Sequence, residues 1–100
     1  MHNKIQRKVF LGFIYVHILH HASEKPIYGS WMIKELEEHG YTMSPGTLYP
    51  IFHTLEDEKL LKSKAKNVNG KSRKYYSITP EGVKFLEDIK IKLKELITEI

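Results

Sequence analysis

The sequence predicts a mainly α fold carrying one small β-hairpin, on three observations. Apolar residues recur at helical spacing in four segments. Between the third and fourth segments the chain alternates with period two on either side of Asn69-Gly70. Proline directly follows Ser44 and Thr79, which marks two helix starts. Two helices joined by a tight turn, followed by a hairpin, form a winged helix-turn-helix.

The first helix is expected from about Asn3 to His21. Its middle (Phe10, Leu11, Phe13, Ile14, Tyr15, Val16, Ile18, Leu19) is apolar on nearly every face. Either it is a hydrophobic core helix, or it lies between its own domain and a second subunit. A chain of 100 residues has little material to surround such a helix, which favours the second reading. The second helix begins near Ile27–Gly29 and runs to His39, with Met32, Ile33 and Leu36 inward and Gly40 as its stop. Ser44 caps the third helix, where Leu48, Phe52 and Leu55 face inward. The strands are expected at Leu60–Lys66 and Ser72–Thr79, joined by the turn Asn67–Gly70. Thr79 caps the fourth helix, in which Leu86, Ile89, Leu93, Leu96 and Ile100 follow a 3-4-3-4 spacing. That spacing is a heptad seam, read as a dimerisation surface because little chain remains to cover it. Residues 1–79 therefore read as the DNA-binding domain with its N-terminal helix, and 80–100 as a C-terminal dimerisation helix.

Composition narrows the function classes. The chain is basic, with net charge +4, and contains no cysteine. Disulfides, thiol catalysis and thiolate metal sites are excluded, and a cytoplasmic location is expected. The N-terminal apolar run follows Lys4, Arg7 and Lys8 as in a secretory signal. It contains His17, however, and is followed by His20 and His21 rather than small residues, so it reads as neither signal nor membrane span.

Charge is unevenly placed. Lys59–Lys74 holds seven basic residues (Lys59, Lys62, Lys64, Lys66, Lys71, Arg73, Lys74) and no acidic one. A lysine-rich sheet edge that blocks aggregation explains Lys62, Lys64 and Lys66 on one strand face. It explains less well Lys71, Arg73 and Lys74 beside the turn. A basic hairpin after a helix-turn-helix is placed to touch DNA phosphates. On the third helix, Gly46, Tyr49, Pro50 and His53 face outward. Pro50 removes the amide that would bond the Gly46 carbonyl. Small residues here let a DNA backbone approach, and Ser44, Thr47 and Tyr49 offer hydroxyls. Tyr49 is expected on a phosphate, the alternative being a half-buried ring packed on the neighbouring helix. His53 is placed to reach a base edge or a phosphate. This face lacks Arg, Asn and Gln, so the strongest base-reading pairs are absent and preference rests on shape, wing contacts and water. The DNA-binding set is Ser44, Gly46, Thr47, Tyr49, His53, Lys64, Lys66, Lys71, Arg73 and Lys74.

His17 and His21 stand four apart, with His20 beside them. Only Glu24 lies near enough in sequence to help, whereas zinc takes four ligands, so a polar helix end meeting solvent is expected and no metal. No Ser/His/Asp or paired-carboxylate arrangement supports catalysis, and no glycine-rich phosphate cradle points to a cofactor; the chain does not read as an enzyme.

Several motifs in order resemble the PadR-like transcriptional regulators. They are Tyr28-Gly29, Ser44-Pro45-Gly46-Thr47-Leu48-Tyr49-Pro50, Leu55-Glu56 and the run Gly70–Gly82 across wing and cap. The resemblance spans about Val9 to Leu86. It implies a homodimeric repressor, often of efflux or stress-response genes, that leaves DNA on binding a small-molecule effector. The fourth helix would be the single dimerisation helix of the short subfamily, packed against the partner's first helix. Some members stack flat aromatic drugs against a tryptophan on the last helix. Here the single tryptophan is Trp31, on the second helix, so Phe13, Tyr15 and His17 of the first helix become the effector candidates. The competing reading is a winged-helix protein-interaction module without sequence-specific DNA binding.

Overall fold

The computed structural model describes residues 3–100; Met1 and His2, the first residues of the predicted DNA-binding domain, lie outside the described residues. The elements follow the expected order: α1 (Lys4–Glu24), α2 (Gly29–Glu38), α3 (Pro45–Asp57), β1 (Leu61–Val68), β2 (Lys71–Ile78) and α4 (Pro80–Glu99). The two strands pair antiparallel as a single hairpin. Helices α2 and α3 form the helix-turn-helix and the hairpin is the wing.

Local chemistry sets the boundaries. The Asn3 carboxamide oxygen accepts from the Gln6 amide at 2.8 Å and starts α1. This helix runs three residues past His21, to Glu24. Gly40, at φ +85°, closes α2 in the left-handed conformation that glycine adopts without cost. Ser44 holds the N-cap position of α3, but its hydroxyl makes no capping bond. It lies instead 3.3 Å from the Thr47 hydroxyl, while the Ser44 carbonyl accepts from the Thr47 and Leu48 amides. Pro50 does not break α3, and the Thr54 hydroxyl donates to the Pro50 carbonyl at 3.0 Å.

The wing is longer than expected. Asn69 and Gly70, at φ +53° and +79°, close the turn in two residues. Asn67 and Val68, assigned to the turn, are thereby freed to pair with Ser72 and Lys71. At the wing's base the Thr79 hydroxyl accepts from the Gly82 amide at 2.9 Å and donates to the Lys59 carbonyl at 2.6 Å. One side chain thus caps α4 and ties it to the end of α3.

A single core joins all four helices and the wing: Ile14, Ile18 and Leu19 of α1, Met32 and Leu36 of α2, Leu48 and Phe52 of α3, Leu61 and Tyr76 of the wing, and Leu86 of α4. Tyr76 stacks on Phe52 with ring centroids 4.3 Å apart and planes 7° apart. The buried face of α1 is Ile14, Ile18, Leu19 and Ala22; its other face leaves Ile5, Val9 and Phe13, spaced by four, exposed. Leu86 corrects the predicted heptad seam. It is buried in its own chain's core, because α4 starts in direct contact with the wing base. Ile89 and Leu93 are half-buried, and Leu96 and Ile100 are exposed, as are Ile91 and Ile97 outside the seam.

Gly82 permits that contact. A Cβ there would strike the Leu60 carbonyl oxygen and lie 2.6 Å from Ile78 Cγ1. Backbone cannot yield as a side chain can, so Gly82→Ala is expected to destabilise the fold by about 2–3 kcal/mol, the upper part of the overpacking range. Urea unfolding of the variant measures this; an unchanged midpoint would show that α4 docks without the close approach.

Candidate nucleic-acid interface

Register sorts the basic residues of the wing. Lys66 pairs with Arg73, Lys64 with Tyr75 and Val68 with Lys71, so these side chains share one face. The opposite face carries Ser63, Lys74 and Tyr76 toward α3. There Glu56 accepts from the Ser63 hydroxyl at 2.5 Å and lies 3.9 Å from the Lys74 ammonium. Lys74, expected to act alongside Arg73, therefore points to the other side of the hairpin, beside a carboxylate.

Arg73 is held by aromatic rings. Its guanidinium carbon lies 4.1 Å from the centre of the Tyr28 ring, and Tyr28 meets Tyr75 edge-on at 5.3 Å. Tyr75 beside it is the main cause that raises the Arg73 pKa above its ordinary value, so the cation persists at every working pH. Lys66 sits 5.2 Å from the Tyr75 ring centre. The stack is possible because Ile27 forms an antiparallel bridge with Tyr76, through amide–carbonyl bonds of 2.9 and 2.7 Å. That bridge lays the start of α2 along the wing.

A cleft results, lined by Tyr28, Gly29, Ser30, Tyr49 and the wing residues Val68, Asn69 and Lys71–Lys74. Four of the predicted residues line it, Tyr49, Lys71, Arg73 and Lys74, although the Lys74 ammonium itself lies on the far strand face beside Glu56. The amides opening α2 have no side-chain cap, so together with Lys71 and Arg73 they favour an anion. Ser44, Gly46 and His53 are exposed on α3 outside this cleft, and Thr47 is half-buried. Lys64 and Lys66 line a separate groove with Pro26, Lys62, Tyr75 and Ser77. Tyr28, Gly29 and Ser30 were absent from the predicted set. Period and charge did not reveal them, since they enter through the long-range Ile27–Tyr76 pairing. Tyr49 is 41 % exposed, with its ring laid over Gly29. The structure shows the alternative reading, packing on the neighbouring helix, and the same residue also lines the cleft.

The effector candidates divide. Phe13 and His17 line an apolar groove between α1 and α4 with Val16, Tyr41, Leu86 and Leu93. Tyr15 packs against the core instead. The histidines do not form a plain solvated helix end. His17 and His21 pack toward α2, where His39 meets His17 at 4.9 Å between ring centres. Burial first, then the like charges of His39, His21 and His20, hold the His17 imidazole below its ordinary pKa. Among the described residues no helix is long and apolar enough to cross a membrane.

A basic wing beside an exposed third helix defines a winged helix-turn-helix of the DNA-binding transcriptional regulators. Comparison with known proteins gives the family: residues 18–88 match the transcriptional regulator PadR-like family, and the chain belongs to it. It is 45 % identical over 85 residues to the transcriptional regulator Rv3488 of Mycobacterium tuberculosis, covering 85 % of this chain and 79 % of that one. Among solved structures, a PadR family regulator from Eggerthella lenta superposes with a TM-score of 0.84 at 30 % identity, over 95 % of this chain and 84 % of that one. A PadR-like regulator from Bacillus cereus gives 0.82 at 31 % identity, over 92 % and 91 %.

Gly29 sets where the Tyr49 ring lies, since a Cβ there would come within 2.6 Å of two ring carbons. Gly29→Ala favours the helix intrinsically but displaces Tyr49. It is expected to lower affinity for duplex DNA about tenfold, or roughly 1.4 kcal/mol, with little change in Tm. Unchanged affinity in a fluorescence-anisotropy titration would remove Tyr49 from the interface.

Proposed function

We propose that this chain is a homodimeric transcriptional repressor, acting in the cytoplasm, that holds duplex DNA with α3 and the wing and is released by a small-molecule effector. The observation that carries the DNA contact is the arginine clamp: Arg73, stacked on Tyr28, stands with Lys71 at the uncapped start of α2. Lys71, Arg73 and the α2 amides meet phosphate; Ser44, Gly46, Thr47, Tyr49 and His53 face the groove; Lys64, Lys66 and Lys74 extend the basic flank. Residues 1–79 supply this function and 80–100 the dimer contact, although Leu86 shares the core.

Two unpartnered apolar surfaces support the dimer. The stripe Ile5, Val9 and Phe13 runs along α1, and Ile91, Leu96, Ile97 and Ile100 lie open on α4. A monomer leaves both in water. A two-fold dimer sets its two third helices about one helical turn of DNA apart. Phe13 and His17, in the apolar groove between α1 and α4, are where an effector would alter the dimer, with Tyr15 packed against the core on the same helix.

DNA affinity is expected to fall steeply as salt rises, with a log–log slope near −0.9 for each phosphate neutralised. Lys71→Ala with Arg73→Ala should flatten it by about 0.9 for each phosphate no longer neutralised, similarly for all sequences. A flat wild-type response would favour a protein-interaction module instead. Leu96→Asp, at a position 52 % exposed in the single chain, should leave the fold intact and give the monomer mass of 11.8 kDa by sedimentation. A mass twice that would place the dimer contact elsewhere.

A further inference from the structure

The junction of α1 and α2 gathers more ligand chemistry than a DNA-binding fold requires. His17 and His21 lie one turn apart on α1, with rings 6.1 Å apart and nearly parallel, 11° between planes. Glu35 on α2 and His39 at its C-cap repeat that four-residue spacing. The two pairs face each other. One nitrogen from each of His17, His21 and His39 falls within a set whose members all lie within 4.8 Å of one another. Glu35 Oε2 stands 3.0 Å from His39 Nε2 and 3.7 Å from His21 Nε2. His21 and Glu35 are largely sheltered, with side chains 15 % and 20 % exposed.

We propose that His17, His21 and His39, with Glu35 in the fourth position, form a binding site for one divalent transition-metal ion, which ties α1 to the first helix of the helix-turn-helix. The spacing fits. Bonds of about 2.0–2.1 Å in a tetrahedron place ligand atoms about 3.3 Å apart, between the two distances that Glu35 already makes. The three imidazole nitrogens, all within 4.8 Å of one another, and Glu35, which lies outside that set, would draw in on the ion by side-chain rotation. Pairs of ligands one helical turn apart are a recurrent way of presenting imidazoles to zinc. Three imidazoles and a carboxylate, in a chain without cysteine, suit Zn²⁺, Co²⁺, Ni²⁺ or Cu²⁺ and disfavour the ions that demand thiolate or all-oxygen cages. A second cluster, His20, His21 and Glu24, shares His21. It lies on α1 alone and Glu24 is 59 % exposed with contacts of 3.6 Å, so it is the weaker claimant.

Trp31 provides a built-in probe. It is the single tryptophan, and its ring meets His21 edge-on at 5.5 Å. Untagged, metal-free protein titrated with Co²⁺ should develop the visible absorption of a four-coordinate site and lose Trp31 fluorescence, both saturating at one ion per chain. Zn²⁺ should then bleach the band. His17→Ala and His39→Ala should each weaken binding at least about 100-fold and Glu35→Gln at least about tenfold, since loss of even an outer partner of a metal ligand costs about 10–100-fold; His20→Ala should bind as wild type. Circular dichroism checks the fold, and His39→Asn, at a half-exposed position, replaces any variant that unfolds. Absence of a saturable signal, or wild-type binding by His39→Ala, would overturn the site. Loss in His20→Ala with retention in His39→Ala would assign the ion to α1 alone and overturn it equally. None of these measurements depends on DNA, so failure here leaves the repressor proposal standing.

Discussion

The placement of Tyr76 governs the rest of the structure. Its ring is 1 % exposed and stacked on Phe52, which fixes the wing against α3. Its backbone pairs with Ile27, which fixes the segment opening α2 against the same strand. One residue therefore sets both distances that matter for a DNA surface, wing to third helix and wing to second helix. Because side chains alternate along a strand, a buried Tyr76 forces Tyr75 outward. Tyr75 then meets Tyr28, the neighbour of Ile27, and Arg73 lies over that ring. The stacking of Arg73 on Tyr28 is thus a consequence of how the core is closed. The outward residues take their positions from the inward ones.

Helix boundaries and wing polarity are legible in the sequence because they are local. Gly40 and Asn69-Gly70 stop or turn the chain through their own backbone freedom. The period-two alternation on either side of Asn69-Gly70 marks both strands of the wing. Thr79 is legible as a cap, while Ser44 shows the limit of that reasoning: it occupies the cap position, yet its hydroxyl turns to Thr47. Two neighbouring hydroxyls compete with the backbone for the same bond, and sequence does not decide which wins. Everything joining distant segments is illegible: the Ile27–Tyr76 bridge, the approach of Glu56 to Lys74, and the burial of Leu86. Heptad spacing identifies a stripe without stating what covers it, and here the stripe divides between the chain's own core at Leu86 and open surface from Leu96 onward.

The histidines show the same limit from another side. Along α1 alone they lack a fourth ligand, because their neighbours in sequence supply only Glu24. In the sequence Glu35 is an outward charge and His39 a helix end. The helix–helix crossing turns both toward His17 and His21. A four-residue spacing repeated on two helices is present in the sequence, as His17/His21 and Glu35/His39. Only the crossing makes it one cluster.

Helix α2 is where these features meet. It has ten residues, and at about 1.5 Å per residue its ends are about 15 Å apart. One end carries Glu35 and reaches His39; the other carries Gly29 and Ser30 into the anion cleft. Its buried side chains Met32 and Leu36 seat it in the core between those ends. On the metal-site proposal, an ion tying α1 to Glu35 and His39 would bear on the same helix whose first residues line the cleft beside Tyr28 and Arg73. The groove between α1 and α4 reaches the same junction through His17, which belongs both to that groove and to the histidine cluster.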